Sequence, residues 1–272
     1  MNMLSPHHFV LDGYGGYRSR YDDTSLIYEL LDELPAALNL TPAMPPIVLP
    51  YYNGVTPDDC GISAFVILNG GHMTLHTFSF RECFFADILA PQAFDADAVE
   101  KICNRTLPAT QVATQMIDRD SDDLDTNGRS EADFGPHLMM EVEGYCGPDS
   151  MDDLFALFDR LPDRIGMTPI MRPCILRSQL ADGSTVISAI TMIAESHIAI
   201  HVNKGARVAW FDLFSCSFFE PDQVVAKLQS CFPGDRHTTR LTIRGRRHRS
   251  GWTDRESANR RSKLWLDCRL PD

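Results

Sequence analysis

Leu30-Leu31-Asp32-Glu33-Leu34-Pro35 returns 127 residues later as Leu157-Phe158-Asp159-Arg160-Leu161-Pro162. Thr41-Pro42-Ala43-Met44-Pro45-Pro46 returns at the same offset as Thr168-Pro169-Ile170-Met171-Arg172-Pro173. From Ile62-Ser63-Ala64 and Ile187-Ser188-Ala189 onward the offset is 125, and it holds through His72/His197, His76/His201, Asp87/Asp212, Phe94/Phe219 and Val99/Val224. One two-residue gap reconciles the whole series. Self-similarity of this length means two homologous units, near residues 7–110 and 136–235.

Each unit carries the same signals. An apolar opening strand (8–11, 137–140) leads to a Gly-Tyr turn. A helix with apolar residues at helical spacing follows (25–34, 151–161), closed by Leu-Pro. Strand-like runs come next at 46–49 and 174–177, at 61–68 and 185–194, through the histidine-containing segment, and at 84–89 and 209–214. A second helix (96–103, 221–228) closes the unit. Strands with their helices on one face predict an α+β fold in which two such halves stack sheet on sheet, a four-layer α/β/β/α sandwich. The expected organisation is a first repeat at 1–117, an acidic linker at 118–135, a second repeat at 136–250 and a basic tail at 251–272.

Composition narrows the class. At 272 residues and 44% hydrophobic the chain can bury real cores, and it is not disordered. No apolar run approaches the length of a membrane helix. Met1-Asn2-Met3-Leu4-Ser5-Pro6-His7-His8 lacks the basic-then-apolar pattern of a secretory signal. The eight cysteines include no C-x-x-C pair, so a reduced, cytoplasmic protein is expected. The net charge of −12 divides into +7 from Arg236 onward and −19 before it. The acidic body argues against a nucleic-acid partner, and the arginines at 244, 246, 247, 249, 260 and 261 read as a solvated strand and terminus. Asp123-Leu124-Asp125-Thr126-Asn127-Gly128 resembles the opening of a calcium loop, but its twelfth position is Phe134, so it reads as solvated linker. His72 and His76 share a strand face without a third ligand, and no metal is expected.

The chemistry sits where the copies differ. Copy two reads Glu195-Ser196-His197-Ile198-Ala199-Ile200-His201 and then Trp210-Phe211-Asp212-Leu213-Phe214-Ser215-Cys216. Copy one reads Gly70-Gly71-His72-Met73-Thr74-Leu75-His76 and then Phe85-Ala86-Asp87-Ile88-Leu89-Ala90-Pro91. Copy one has lost the serine and the cysteine but keeps Ser63 and His76, as if one site were assembled from two unequal halves. A Ser-His-Asp hydrolase would want a G-x-S-x-G elbow, and there is none.

Glu-Ser-His-x-x-x-His, with a serine eight residues before the central serine and a cysteine twenty after it, resembles the S-adenosylmethionine decarboxylase proenzymes, above all the short bacterial unit that pairs as a dimer. The resemblance implies self-cleavage between Glu195 and Ser196, leaving a pyruvoyl cofactor made from Ser196. The pyruvoyl ketone would take the substrate amine as a Schiff base and act as electron sink for loss of CO2. It further implies catalytic roles for Ser196 and Cys216 from copy two and for Ser63 and His76 from copy one. His76 would be the base of the elimination, Ser63 would hold the ester, and Cys216 would return a proton after decarboxylation. Ser188 and His201 would face a dead site at Gly71 and Pro91.

The family's His-Thr-aromatic-Pro-Glu appears in copy one as His76-Thr77-Phe78-Ser79-Phe80, so Phe78 and Phe80 are the candidate substrate-binding positions. A second aromatic is expected where Pro57 stands, with Tyr51 and Tyr52 nearby. The missing Glu leaves the substrate open between adenosylmethionine and a basic amino acid, ornithine or arginine; both routes feed polyamine (spermidine) synthesis. The rival from another class is a non-catalytic binding protein in which Ser196 is never processed. The fusion itself supplies the pairing, so a monomer with a small-molecule substrate is expected.

Overall fold

The computed structural model describes residues 6–52, 60–124, 133–194 and 196–246. The first unit runs β1 (His7–Tyr14), α1 (Arg18–Tyr21), α2 (Thr24–Ala37), β2 (Ile47–Tyr51), β3 (Gly61–Leu68), β4 (Gly71–Phe78), β5 (Cys83–Ala90), α3 (Ala96–Thr106) and β6 (Gln111–Ile117). The second runs β7 (Gly135–Glu143), α4 (Met151–Phe158), α5 (Leu161–Ile165), β8 (Cys174–Gln179), β9 (Thr185–Ile193), β10 (Ser196–Asn203), β11 (Val208–Ser215), α6 (Pro221–Cys231) and β12 (Arg236–Arg244). The two six-stranded sheets have the orders β2-β3-β4-β5-β1-β6 and β8-β9-β10-β11-β7-β12. These are one topology written twice, as the repeat requires. Among the described residues no helix is long and apolar enough to cross a membrane.

Local signals account for the elements. Asp23 accepts hydrogen bonds from Ser25 N and Leu26 N at the start of α2, and Asp95 does the same for Asp97 N and Ala98 N at α3. Ser150 caps α4 by accepting from Asp153 N. Each such cap is worth about 1 kcal/mol. Helix α2 buries Ile27, Leu30, Leu31 and Leu34, the i, i+3, i+4, i+7 face that its sequence displays.

Strand alternation divides the interior into layers. In β4, Met73 and Leu75 enter the core under α2 and α3, and in β10, Ile198, Ile200 and Val202 enter the core under α4 and α6. The intervening residues face the opposite sheet. Phe65 and Ile67 of the first sheet there meet Ile190, Met192 and Ala199 of the second. This is the predicted α/β/β/α sandwich.

Two parts of the sequence reading change. Residues expected in a solvated linker include Arg119, which is 3% exposed, and Phe134, which is 2% exposed. Arg244, expected in a solvated basic strand, is 2% exposed. Both arginines turn inward because unpaired carboxylates await them between the sheets. Of the calcium-like segment, 125–132 lies outside the described residues; Asp123 forms a parallel bridge to Arg240.

Candidate active site

The side chains that alternation aims at the other sheet are mostly apolar at the sheet edges and polar at the centre. His8, His72, His76, Asp87, His137, His197, His201 and Asp212 are all at most 2% exposed. Burying so many polar groups is tolerable only when they bond one another, and they do, across the sheets. Ser63 Oγ lies 2.9 Å from His76 Nδ1, and His76 Nε2 lies 2.9 Å from His197 Nδ1. The mirror chain repeats it: Ser188 Oγ is 2.7 Å from His201 Nδ1, and His201 Nε2 is 2.7 Å from His72 Nδ1. Register explains both chains, because Ser63 is paired directly with His76 and Ser188 with His201.

Two guanidiniums neutralise two of the buried carboxylates. Arg119 Nη1 donates to Asp212 Oδ1 at 2.6 Å, and Arg244 Nε donates to Asp12 Oδ1 at 2.6 Å. The arginines are themselves repeat equivalents, 125 residues apart. Burial, followed by the neighbouring His197, holds His76 well below the ordinary histidine value. Burial and then His72 do the same to His201. Both rings are therefore neutral, and weaker proton acceptors than an exposed histidine.

Ser196 opens β10, paired with Ile193 on one side and Ser215 on the other. It is 1% exposed, its Oγ has no hydrogen-bond partner, and its φ is 153°, a value that costs a non-glycine residue about 1–3 kcal/mol. Its neighbour His197 is the residue that contacts His76. Cys216 follows Ser215 directly and is half-buried, in a turn where Ser217 N donates to Ser215 Oγ. The structure thus joins Ser63 and His76 of copy one to the strand that carries Ser196. Glu195 lies outside the described residues.

The mirror position is closed to a serine. A Cβ added at Gly71 would stand 1.9 Å from the Leu89 carbonyl oxygen. Ser188 and His201 are therefore assembled around a residue that has no hydroxyl and no room for one.

The aromatic candidates separate. Phe78 packs in a cluster with Phe85, Phe134 and Phe214, against which Cys216 also lies. Phe80 stands elsewhere, 4.3 Å beneath the Arg18 guanidinium. Tyr52 is 37% exposed and hydrogen-bonded to Asp22, and Pro57 lies outside the described residues. Neither of two cavities, about 770 and 410 Å³, is lined by Ser196, Cys216, His76 or Phe78. Sequence reasoning missed Phe134, Arg119 and Arg244; for the arginines, only their shared 125-residue offset could have marked them as part of the repeat.

Two homologous αβ units, stacked sheet on sheet with serine, histidine and cysteine groups at the seam, define a duplicated sandwich protein with its reactive groups inside. The chain belongs to the S-adenosylmethionine decarboxylase family, whose model matches residues 7–120 and again 136–245. That family consists of pyruvoyl-dependent decarboxylases. The crystal structure of the adenosylmethionine decarboxylase from Aquifex aeolicus VF5 is similar at 19% identity, over 45% of this chain and 97% of that one, with a TM-score of 0.36. The structure of an unknown protein from Galdieria sulphuraria is similar at 9% identity, over 88% of this chain and 98% of that one, with a TM-score of 0.22. No curated protein matches the chain.

Proposed function

We propose that the chain is a self-processing pyruvoyl-dependent decarboxylase with one active site, acting on adenosylmethionine. The observation that carries this reading is Ser196: a buried, unpartnered hydroxyl at a positive φ, one residue from the imidazole that meets His76. A serine with no partner pays about 1–3 kcal/mol for its burial, and a serine that must attack its own preceding carbonyl has a reason to be so placed.

The Ser196 hydroxyl attacks the Glu195 carbonyl carbon, the peptide C–N bond breaks, and an ester with a free amine results. Loss of the Ser196 Cα hydrogen expels the Glu195 carboxylate and leaves dehydroalanine, which water converts to a pyruvoyl group and ammonia. His76 accepts the Cα proton at Nε2, the nitrogen that faces β10. Ser63, bonded to His76 Nδ1, uses its own hydrogen to hold the ester oxygen. The pyruvoyl group, once formed, supplies a carbonyl that binds an α-amine and withdraws the electrons left by CO2. Cys216 protonates the substrate carbon.

The test is the denatured mass of freshly purified chain. Two fragments that meet at 195/196, the smaller with a blocked terminus, support the reading, and Ser196→Ala yields a single 30.5 kDa species without activity. Decarboxylation by Ser196→Ala would overturn it.

A second reading, decarboxylation of ornithine or arginine by the same group, is favoured by Phe80. It stands where the family has a ribose-binding Glu, and it is buried beneath Arg18. Release of CO2 from each labelled substrate decides between them.

A further inference from the structure

Among the described residues, the two guanidiniums between the sheets serve Asp12 and Asp212, and the groups that meet Asp87 there are imidazoles. His8 Nε2 is 2.6 Å from its Oδ1, and His72, His137 and His197 present Nε2 to its Oδ2 at 3.7, 3.4 and 3.6 Å. These four atoms, Asp87 Oδ2 and the three Nε2, are fully buried and without hydrogen-bond partners. A carboxylate oxygen and imidazole nitrogens orphaned around one point leave a place for a cation, held by whichever rings keep a lone pair there.

The arginines decide which rings can bind it. A guanidinium only donates. Arg119 Nη1 is 2.9 Å from His8 Nδ1 and Arg244 Nη1 is 3.3 Å from His137 Nδ1. Both Nδ1 atoms are therefore acceptors, and His8 and His137 carry their hydrogens on Nε2, toward Asp87. The same contacts remove the neighbouring set His8, His137 and Asp212, since Arg119 is already its cation. His72 and His197 meet no guanidinium. Their Nδ1 atoms face His201 Nε2 and His76 Nε2, so with the ring hydrogen on Nδ1 each keeps its lone pair at Nε2, toward Asp87.

We propose that His72 Nε2, His197 Nε2 and Asp87 Oδ2 ligate one divalent transition-metal ion of the zinc class at the centre of the sandwich. The three atoms lie within 4.8 Å of one another. Their 3.6 and 3.7 Å separations from the carboxylate oxygen are close to the ~3.3 Å edge of a tetrahedron with bonds of ~2.0–2.1 Å. Two imidazoles and a carboxylate suit zinc, or iron(II), over magnesium or calcium. Each ligand ring gives its Nδ1–H to a second imidazole, the outer-shell bond that orients a metal-bound histidine. On the His197 side the acceptor is His76 Nε2, whose lone pair takes a proton only once that bond opens. The ligands come from both copies, so the ion ties sheet to sheet.

The full chain, purified without chelator, is assayed for metals by plasma mass spectrometry, and a denatured, stripped sample is refolded with Co²⁺ to give a visible absorption band. About one ion per folded chain is expected. Asp87→Asn and the double variant His72→Gln/His197→Gln should lose at least about tenfold of that content, whereas His237→Gln, an imidazole outside the cluster, should keep it. Ser196→Ala should also keep the ion, so failure of self-cleavage and failure of metal binding are read separately. Should the ligand variants not fold, the wild-type chain still decides. Folded wild-type chain that holds under about a tenth of an ion and takes up neither Zn²⁺ nor Co²⁺ overturns the proposal, as does full metal content in folded Asp87→Asn.

Discussion

Ser63 and Ser188 are the same residue in two copies, each bonded to an equivalent histidine, yet only the Ser63 chain ends at His197, the residue next to Ser196; Ser188 bonds His201, five residues along β10. Their alanine variants therefore separate chemistry from stability. Either change strips a hydrogen-bond partner from a buried imidazole, at about 1–3 kcal/mol. Both should lower the urea midpoint. Ser63→Ala should also slow self-cleavage by about 10²–10⁴-fold, followed as fragment appearance over time, while Ser188→Ala cleaves at the wild-type rate. Equal processing by the two variants would count against the cross-copy site. Cys216→Ala should cleave normally and lose decarboxylation by a similar factor, measured as CO2 release from fully processed protein.

Arg119, two residues past the end of β6, and Arg244, the last residue of β12, hold the sheets together. Truncating one partner of a buried ion pair leaves an uncompensated charge, so Arg119→Met should cost about 3–5 kcal/mol through Asp212, read from urea unfolding. The Arg236–Glu143 pair, on the solvent side of β12, is exposed at both ends, and Arg236→Ala should leave the midpoint unchanged. This contrast also marks the limit of what was legible. Periodicity and the repeat sufficed to place five of the six strands of each sheet, the longer helices and the layers, because those depend on local apolar spacing. Spacing within each copy also marked Ser63 and His76 in one and Ser196 and Cys216 in the other as candidates, and the structure brings Ser63 and His76 together. Arg119 and Arg244 read as solvated because a lone arginine near a strand end is solvated unless a carboxylate waits inside. Their carboxylates, Asp212 and Asp12, are 93 and 232 residues away. His72 was set aside as a ligand for the same reason: its partners Asp87 and His197 reach it only through sheet pairing and sheet stacking.

Cleavage before Ser196 would divide the molecule in a way its strand order makes irreversible without unfolding. The larger piece keeps β7, β8 and β9 of the second sheet, and the smaller takes β10, β11 and β12. In the order β12-β7-β11-β10-β9-β8 the two sets interleave, with β7 of one piece held between β12 and β11 of the other. Three strand interfaces join the pieces, β12 to β7, β7 to β11, and β10 to β9, and β10 is further covered by the first sheet. The inner face of each sheet is covered within one chain by the other sheet. We therefore expect processed protein to sediment and to fly in native mass spectrometry as one particle of about the 30.5 kDa chain mass, splitting into two only in denaturant. Pieces mixed after separate refolding should fail to regain the particle, because neither set of strands can complete its half of the sheet alone. Spontaneous separation of the fragments under native conditions would mean that the cut does not fall between β9 and β10.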